Sequence, residues 1–314
     1  MKNKNPAKKE SNILKILLKV PASIRILVIL ILIGMIVVKL VGYEKAVWSI
    51  KSLYENITSP TGYAQSFVDP IFNKTKKETK EVAFKIGLVS DSHSNETYYP
   101  RILEKIKTEN VSVLIHLGDS VDAGSIKDLE AAKAKLDGAG IPYYTVCGNH
   151  DHNFWPVREY KNYETVFGDT YYSFNYQNIH FTVINNSDEY NGLDEAQLSW
   201  LEGDLMNEGS TLSFMLMHVP PYHPFLDHTM MSSNAKVANQ AKELLQLAKD
   251  QNVSEIISGH LHSFSRYIEP DSRMKISVIG SSGSQRNIVP SYAIMIIYKD
   301  GTYDIEGNII SDTE

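Results

Sequence analysis

The sequence predicts an α/β sandwich with two β-sheets, preceded by one N-terminal transmembrane helix. Three observations carry this prediction: an apolar stretch from Ile26 to Val38, an alternation of strands and helices that begins at Val82, and polar clusters at the ends of several strands. With 43% hydrophobic and 22% charged residues among 314, most of the chain can fold around a core. The single cysteine, Cys147, excludes an intramolecular disulfide and any zinc site built from several cysteines.

The N-terminal region predicts a membrane anchor at residues 24–43. The unbroken apolar run, extended to Tyr43, approaches the ~20 residues that a helix needs to cross a bilayer. A cleaved signal peptide is the alternative, but the residues after the apolar run match a small-residue cleavage site poorly. The sequence therefore favours a retained transmembrane helix.

The charges around this stretch predict its orientation. Seven basic residues lie before the apolar run that begins at Ile26, namely Lys2, Lys4, Lys8, Lys9, Lys15, Lys19 and Arg25. Under the positive-inside rule, residues 1–23 form a basic cytosolic tail. The expectation is a single-pass protein of the cell membrane whose folded domain, after the anchor, is extracellular. Residues 44–81 end in a charged run that indicates a solvated juxtamembrane linker.

Residues 82–314 are predicted to form the main folded domain, because apolar strand-like runs alternate there with helical patterns. Such alternation is typical of βαβ units and of a sheet covered by helices. The predicted strands are 82–90, 111–117, 143–147, 171–176, 179–184, 212–217, 255–258, 275–279, 292–298 and 303–309. The predicted helices include an apolar stripe at 102–106 and the segments 126–136, 195–206 and 235–249.

Five polar clusters follow five of these strands directly. In chain order they are Asp91-Ser92-His93, Gly118-Asp119-Ser120-Val121-Asp122, Gly148-Asn149-His150-Asp151, His218, and Gly259-His260-Leu261-His262. Ligands of α/β sheets collect beyond the carboxyl ends of the strands, so the five clusters are expected to converge on one site. Carboxylate, amide and imidazole groups together suit divalent metals that activate water.

The order D-x-H, GDxxD, GNHD, a lone His and GHxH resembles the calcineurin-like metallophosphoesterase family, over about residues 82–310. This resemblance implies a four-layer α/β/β/α sandwich and two divalent metal ions, of which Mn, Fe, Zn and Co all suit the ligand set. It also implies hydrolysis of a phosphomonoester or phosphodiester by a metal-bridging hydroxide. Purple acid phosphatases have a tyrosine ligand where this chain has Asp122, which argues against a purple iron centre.

The resemblance also implies a role for individual residues. Asp91, His93, Asp119 and His262 would hold one metal, and Asp119, Asn149, His218 and His260 would hold the other. His150 would be the catalytic residue that stabilises the transferred phosphoryl group or protonates the leaving oxygen. Asp122 and Asp151 would orient ligands. His116 and His180, which lie inside predicted strands, are interpreted as structural.

Two alternative functions remain open at this level: a non-catalytic, protein-binding scaffold of the same fold, and an external nuclease. The net charge of −6 argues against general nucleic-acid binding. The expected partner is a small phosphoester, lipid or nucleotide substrate, with the membrane contacted through the N-terminal helix. Phe154, Trp155 and Tyr160 could form a substrate wall, and Arg286 could bind phosphate.

Overall fold

The computed structural model describes residues 80–152, 159–206, 210–284 and 289–310, all within the compact unit Lys80–Glu314. In chain order, the elements are β1 (Val82–Val89), α1 (Tyr98–Thr108), β2 (Val113–His116), α2 (Ile126–Ala139), β3 (Tyr143–Thr145), α3 (Lys161–Phe167), β4 (Tyr172–Tyr176), β5 (Ile179–Val183), α4 (Glu195–Leu205), β6 (Leu212–Leu216), a 3₁₀ turn (Met230–Ser232), α5 (Ala235–Asp250), β7 (Glu255–Ser258), β8 (Ser265–Ile268), β9 (Lys275–Val278), β10 (Ser291–Tyr298) and β11 (Tyr303–Ile309).

The strands form two mixed sheets. The first has the order β11-β10-β1-β2-β3, and the second has the order β4-β5-β6-β7-β9-β8. In the first sheet β1, β2 and β3 run parallel, whereas β10 is antiparallel to β1 and β11. In the second sheet β5, β6, β7 and β9 run parallel, and the edge strands β4 and β8 are antiparallel to their neighbours. The alternating pattern of the sequence thus produces parallel βαβ units with antiparallel edges.

The two sheets pack face to face, and helices cover their outer faces. Between the sheets, Ile86 and Leu88 of the first meet Phe181, Phe214 and Ile257 of the second in one buried cluster. The outer face of the first sheet packs against α1 and α2, and that of the second against α4 and α5. The described residues therefore form the predicted α/β/β/α layers, in which each helix buries one apolar stripe against a sheet.

The parallel strands bring the five polar clusters to one edge. The loops after β1, β2 and β3 leave the first sheet at its carboxyl end, and those after β6 and β7 leave the second. Backbone hydrogen bonds tie these loops together: the N–H of Asp91 donates to Gly118 O at 2.9 Å, and that of Gly259 donates to His218 O at 2.9 Å. This edge of the sandwich is where a site can form.

The structure differs from the sequence expectation at several elements. Helix α3, strand β8 and the 3₁₀ turn are not predicted. Strands β2 and β3 are shorter than the predicted strands 111–117 and 143–147. Strand β8 carries a mixture of polar and apolar residues at the edge of its sheet, where only one neighbour, β9, pairs with it. Helix α3 has seven residues and a single buried one, Tyr163, so its apolar pattern is too short to recognise.

The predicted localisation at the cell membrane requires correction. No helix within residues 80–152, 159–206, 210–284 and 289–310 combines the length and the apolar character that crossing a bilayer requires. The predicted tail (1–23), anchor (24–43) and most of the linker (44–81) lie outside the described residues. The described residues therefore contain no helix that would support a single-pass topology. The predicted extracellular placement depended on that topology and is not supported either.

Candidate metal centre

Two groups of side chains, all buried except the partly buried His260, meet at the carboxyl edge of the sheets. The first consists of Asp91, His93, Asp119 and His262, and the second of Asp119, His218 and His260. In each group, one potential ligand atom from every residue lies within 4.8 Å of the others. All seven residues that sequence reasoning assigned to metals are thus close together once Asn149 is included, whose Oδ1 lies 3.0 Å from both His218 Nε2 and His260 Nδ1.

Asp119 lies between the two groups. Its Oδ2 is 3.6 Å from Nε2 of His93 in the first group and 3.3 Å from Nε2 of His218 in the second. Its other oxygen, Oδ1, accepts a hydrogen bond from the backbone N–H of His150 at 2.8 Å. One carboxylate oxygen therefore faces ligands of both groups, while the second oxygen fixes the orientation of the carboxylate.

The donor set fits divalent cations. Nε2 of His93 lies 3.3 Å from Nε2 of His262, and Nδ1 of His260 lies 3.3 Å from Nε2 of His218. Two imidazole nitrogens that face each other can share only one proton, so each pair directs at least one lone pair into its group. Lone pairs from imidazoles beside carboxylate oxygens suit Mn, Fe, Zn or Co. The buried groups are therefore consistent with two divalent metal ions.

The local backbone is unusual where these ligands stand. Five of the candidate ligand residues adopt positive φ angles between 45° and 69°, namely Asp91, His93, Asp119, His260 and His262. Non-glycine residues rarely occupy this left-handed region, and such strain clusters at functional sites. At Gly118, with φ of 95°, a Cβ atom would come within 2.5 Å of Nδ1 of His218. The loop therefore needs a glycine there to let the imidazole approach.

Buried charge shapes the electrostatics of the site. Burial of Asp119 opposes ionisation, but the charge of His218 and its hydrogen bond hold the pKa of Asp119 well below its ordinary value. Burial likewise disfavours protonation of His218, yet the charges of Asp119 and Asp91 and a hydrogen bond to the Leu117 carbonyl raise its pKa to about 10. In the absence of metal, a protonated His218 therefore neutralises part of the negative charge.

The other predicted polar residues take distinct places. Nδ1 of His150 donates to the backbone oxygen of Asp122 at 2.9 Å, and its ring packs edge-on against His93 at 4.9 Å. Oδ1 of Asp122 lies 3.3 Å from Nδ1 of His93. Asp151 is fully buried, and its carboxylate accepts hydrogen bonds from the backbone N–H groups of Ser120, Val121 and Gly148.

The two histidines interpreted as structural lie in buried hydrogen-bonding positions. Nε2 of His116 is 3.1 Å from the hydroxyl of Ser92, and burial lowers the pKa of this imidazole to about 4. His180 contacts Asp204 at 3.0 Å. Phe154, Trp155 and Arg286, considered above for substrate contact, lie outside the described residues.

Sequence reasoning missed two residues near the ligands. Oδ1 of Asn186 accepts hydrogen bonds from the backbone N–H groups of His218 and Val219, and its amide donates to Val219 O at 2.6 Å. Oε1 of Glu189 lies 3.3 Å from Nε2 of His260. Both residues belong to the Asn-Asn-Ser-Asp-Glu run after β5, a polar cluster at a strand end like the five recognised ones, but without a histidine or a glycine.

The comparison with protein families decides the identity of the fold. The family model for calcineurin-like phosphoesterases matches residues 84–264, more than half of the chain. The chain belongs to the calcineurin-like phosphoesterase family. The matched residues include all seven candidate ligand positions and His150, so the family assignment and the geometry refer to the same part of the molecule.

Two individual relatives each match about half of this chain at about 25% identity. A probable glycerophosphodiester phosphodiesterase of Arcobacter nitrofigilis is 25% identical over 158 residues, covering 49% of this chain and 57% of the relative. A probable cyclic nucleotide phosphodiesterase of Xenorhabdus bovienii is 24% identical over 166 residues, covering 49% of this chain and 62% of the relative. The chain therefore spans less than two thirds of the length of either of these relatives.

Among solved structures, a dimetal phosphatase from Danio rerio superposes with a TM-score of 0.58 at 16% identity. The superposition covers 72% of this chain and 96% of that phosphatase. At this identity the likeness establishes the fold, which is the two-sheet architecture described above.

Proposed function

We propose that this calcineurin-like chain is a two-metal phosphoesterase that hydrolyses a phosphodiester, with residues 82–314 as its catalytic domain. The names of two relatives, both phosphodiesterases, support a diester in preference to a monoester. The single observation that carries the proposal is the position of Asp119, whose Oδ2 faces His93 of one ligand group and His218 of the other.

Each ligand group has its own set of side chains in the proposed centre. Asp91, His93 and His262 would hold one cation with Asp119, and Asn149, His218 and His260 would hold the second with the same carboxylate. When bound, the two cations would supply Lewis-acid activation of water and neutralise charge on the phosphoryl oxygens. Asp119 would keep the two cations close because one of its oxygens already points toward both sets of ligands.

The proposed catalytic residue is His150. Its Nδ1 donates to the carbonyl oxygen of Asp122, so the proton on Nδ1 is held in place and Nε2 is the nitrogen that would act on a substrate. The ring stands beside His93, at the border of the first ligand group. From this position a protonated Nε2 can donate to a phosphoryl oxygen or to the departing oxygen, which is general acid catalysis.

The experiment combines metal analysis with a substrate panel. The full chain is loaded separately with Mn²⁺, Zn²⁺, Co²⁺ and Fe²⁺, and turnover of bis-p-nitrophenyl phosphate and p-nitrophenyl phosphate is measured. We expect about two ions per chain and faster turnover of the diester. Asp119→Asn should lower turnover by at least about 100-fold, because changes even to residues behind a metal ligand cost 10–100-fold.

The control variant Asp250→Asn makes the same chemical change at an exposed residue at the end of α5. It should leave metal content and turnover unchanged. An Asp119→Asn protein that keeps both ions and full activity would refute the proposed centre. A wild-type protein that binds two ions but turns over neither substrate would favour the non-catalytic scaffold.

A further inference from the structure

The carboxylate of Glu189 contacts the ring edge of His260 that points away from the second ligand group. Oε1 of Glu189 lies 3.3 Å from Nε2 of His260, while Nδ1 of the same ring lies 3.0 Å from Asn149 Oδ1 and 3.3 Å from His218 Nε2. We infer that Glu189 is a positioning residue, which fixes the ring of His260 so that its Nδ1 lone pair is available to the second cation. This inference rests on the proposed two-metal function.

The tautomer of His260 explains why a partner is needed. A neutral imidazole carries its proton on one nitrogen, and only the other nitrogen can bind a metal. For Nδ1 to face the ligand group as an acceptor, the proton must lie on Nε2, the atom that stands 3.3 Å from the Glu189 carboxylate. Metal-binding histidines commonly have such an acceptor behind them.

Two other histidines of the centre, His218 and His93, show the same arrangement with different partners. Nδ1 of His218 contacts the backbone oxygen of Leu117 at 2.7 Å, and Nδ1 of His93 lies 3.3 Å from Oδ1 of Asp122. In both rings Nε2 is the nitrogen that faces the ligands. His260 is reversed: its Nδ1 faces the ligands, so its partner must stand at Nε2, which is where Glu189 lies.

The second group has fewer carboxylates of its own than the first, so a further carboxylate beside it has a larger effect. The first group contains two carboxylates, Asp91 and Asp119, whereas the second contains only the shared Asp119. A carboxylate behind His260 raises the electron density of the ring and adds negative charge near the second cation.

The turn that carries Glu189 is held firmly in place. The side chain of Asp188 accepts hydrogen bonds from the backbone N–H groups of Tyr190 and Asn191. The hydroxyl of Ser233 donates to Glu189 O at 2.6 Å, and the amide of Asn234 donates to Tyr190 O at 2.7 Å. The start of α5 therefore anchors the turn, which limits the directions in which the Glu189 carboxylate can point.

The first test measures Mn²⁺ binding to the full chain by electron paramagnetic resonance, which distinguishes exchange-coupled pairs from single ions. Glu189→Ala should weaken binding of the second ion by about 10–100-fold and convert the coupled signal into that of a single ion. Glu189→Gln keeps an acceptor of the same length, so its second ion should bind within about tenfold of wild type. The same change at an exposed glutamate, Glu195→Ala, should leave the signal unchanged.

His228 provides a second control, because it is exposed and belongs with Glu189 and His260 to a further group that could hold a cation. His228→Ala should leave binding of both ions unchanged. An equal loss in His228→Ala and Glu189→Ala would overturn the inference, since it would indicate a cation held by the Glu189 carboxylate itself. Unchanged binding of the second ion in Glu189→Ala would overturn it as well.

The second test reads the tautomer directly and needs no metal. Ring ¹⁵N NMR of the metal-free protein, recorded where the His260 ring is neutral and assigned with a His260→Gln variant, should show the proton on Nε2. In Glu189→Ala the two tautomers should mix, and an unchanged spectrum would overturn the role of Glu189. A wild-type chain that binds fewer than two ions contradicts the proposed function instead, and the NMR result still decides the role of Glu189.

Discussion

Nε2 of His218 lies 3.3 Å from Oδ2 of Asp119, and both side chains are buried. Although burial opposes the charge on the imidazole, its carboxylate neighbours raise the pKa of His218 to about 10, so the metal-free protein holds this ring protonated at neutral pH. A cation must displace that proton to bind Nε2. Protons and metal therefore compete for the same atom.

This competition predicts a pH-dependent affinity for the second ion. Because protons become scarcer as pH rises, affinity should increase by about tenfold per pH unit through the neutral range and level off near the pKa of about 10. Calorimetric titrations with Mn²⁺ in buffers of different ionisation enthalpy should show about one proton released for the second ion. Equal affinity at about pH 6 and about pH 8 would contradict the assignment of His218 as a ligand.

Asp122→Ala should weaken the first metal site selectively. Oδ1 of Asp122 lies 3.3 Å from Nδ1 of His93, but its side chain is 52% exposed, so we expect a loss near the lower end of the range, about tenfold. Mn²⁺ titration followed by electron paramagnetic resonance would measure this loss. The variant should spare the ion held through His260, whereas Glu189→Ala should show the reverse pattern. Equally weakened binding of both ions in Asp122→Ala would contradict separate roles for the carboxylates of Asp122 and Glu189.

His150→Gln should slow substrates according to their leaving groups. A p-nitrophenolate departs without a proton, whereas an alkoxide needs one, so loss of a general acid affects alkyl esters more. We expect kcat for a methyl p-nitrophenyl phosphate, cleaved at the aryl oxygen, to fall by less than about tenfold, and that for a dialkyl ester to fall by about 100-fold or more. An equal loss for both substrates would assign His150 to phosphoryl binding alone.

Gly148→Ala should destabilise the protein and disrupt the centre. A Cβ atom at this position would overlap the backbone N and Oδ1 of Asp119. We expect the free energy of unfolding of the metal-free protein to fall by about 2 kcal/mol or more, measured by urea denaturation, with loss of metal binding. Gly138→Ala is the matched control: it adds the same methyl group within α2, where nothing lies within 4 Å. That variant should gain about 0.5–1 kcal/mol, as expected for alanine in a helix.

The positions of the proposed ligands could be predicted from the sequence because their signal is local. Each ligand follows directly after an apolar run, and parallel strands in one sheet end at one edge, so Asp91, Asp119 and Asn149 had to meet. The same logic places His218 and His262 together at the end of the second sheet. The family resemblance then indicated which residues of the first sheet share a metal site with which residues of the second. Local sequence patterns do not contain that information.

Glu189 could not be predicted because its contact depends on distant parts of the chain. The residue is 71 positions before His260, and its orientation depends on hydrogen bonds from Ser233 and Asn234 at the start of α5. Nothing in the local run around Glu189 distinguishes it from an exposed turn residue. Strand β8 was missed for a similar reason, since its four residues are too few to show an apolar pattern and its conformation is fixed by pairing with β9.

Each ligand group draws side chains from both sheets: Asp91 and Asp119 leave the first sheet, whereas His262, His218 and His260 leave the second. A cation bound at either position would thus link the two sheets. Its binding free energy would add to the stabilisation that the apolar interface between the sheets provides. Starvation for divalent ions would then shorten the lifetime of the folded chain in addition to stopping turnover.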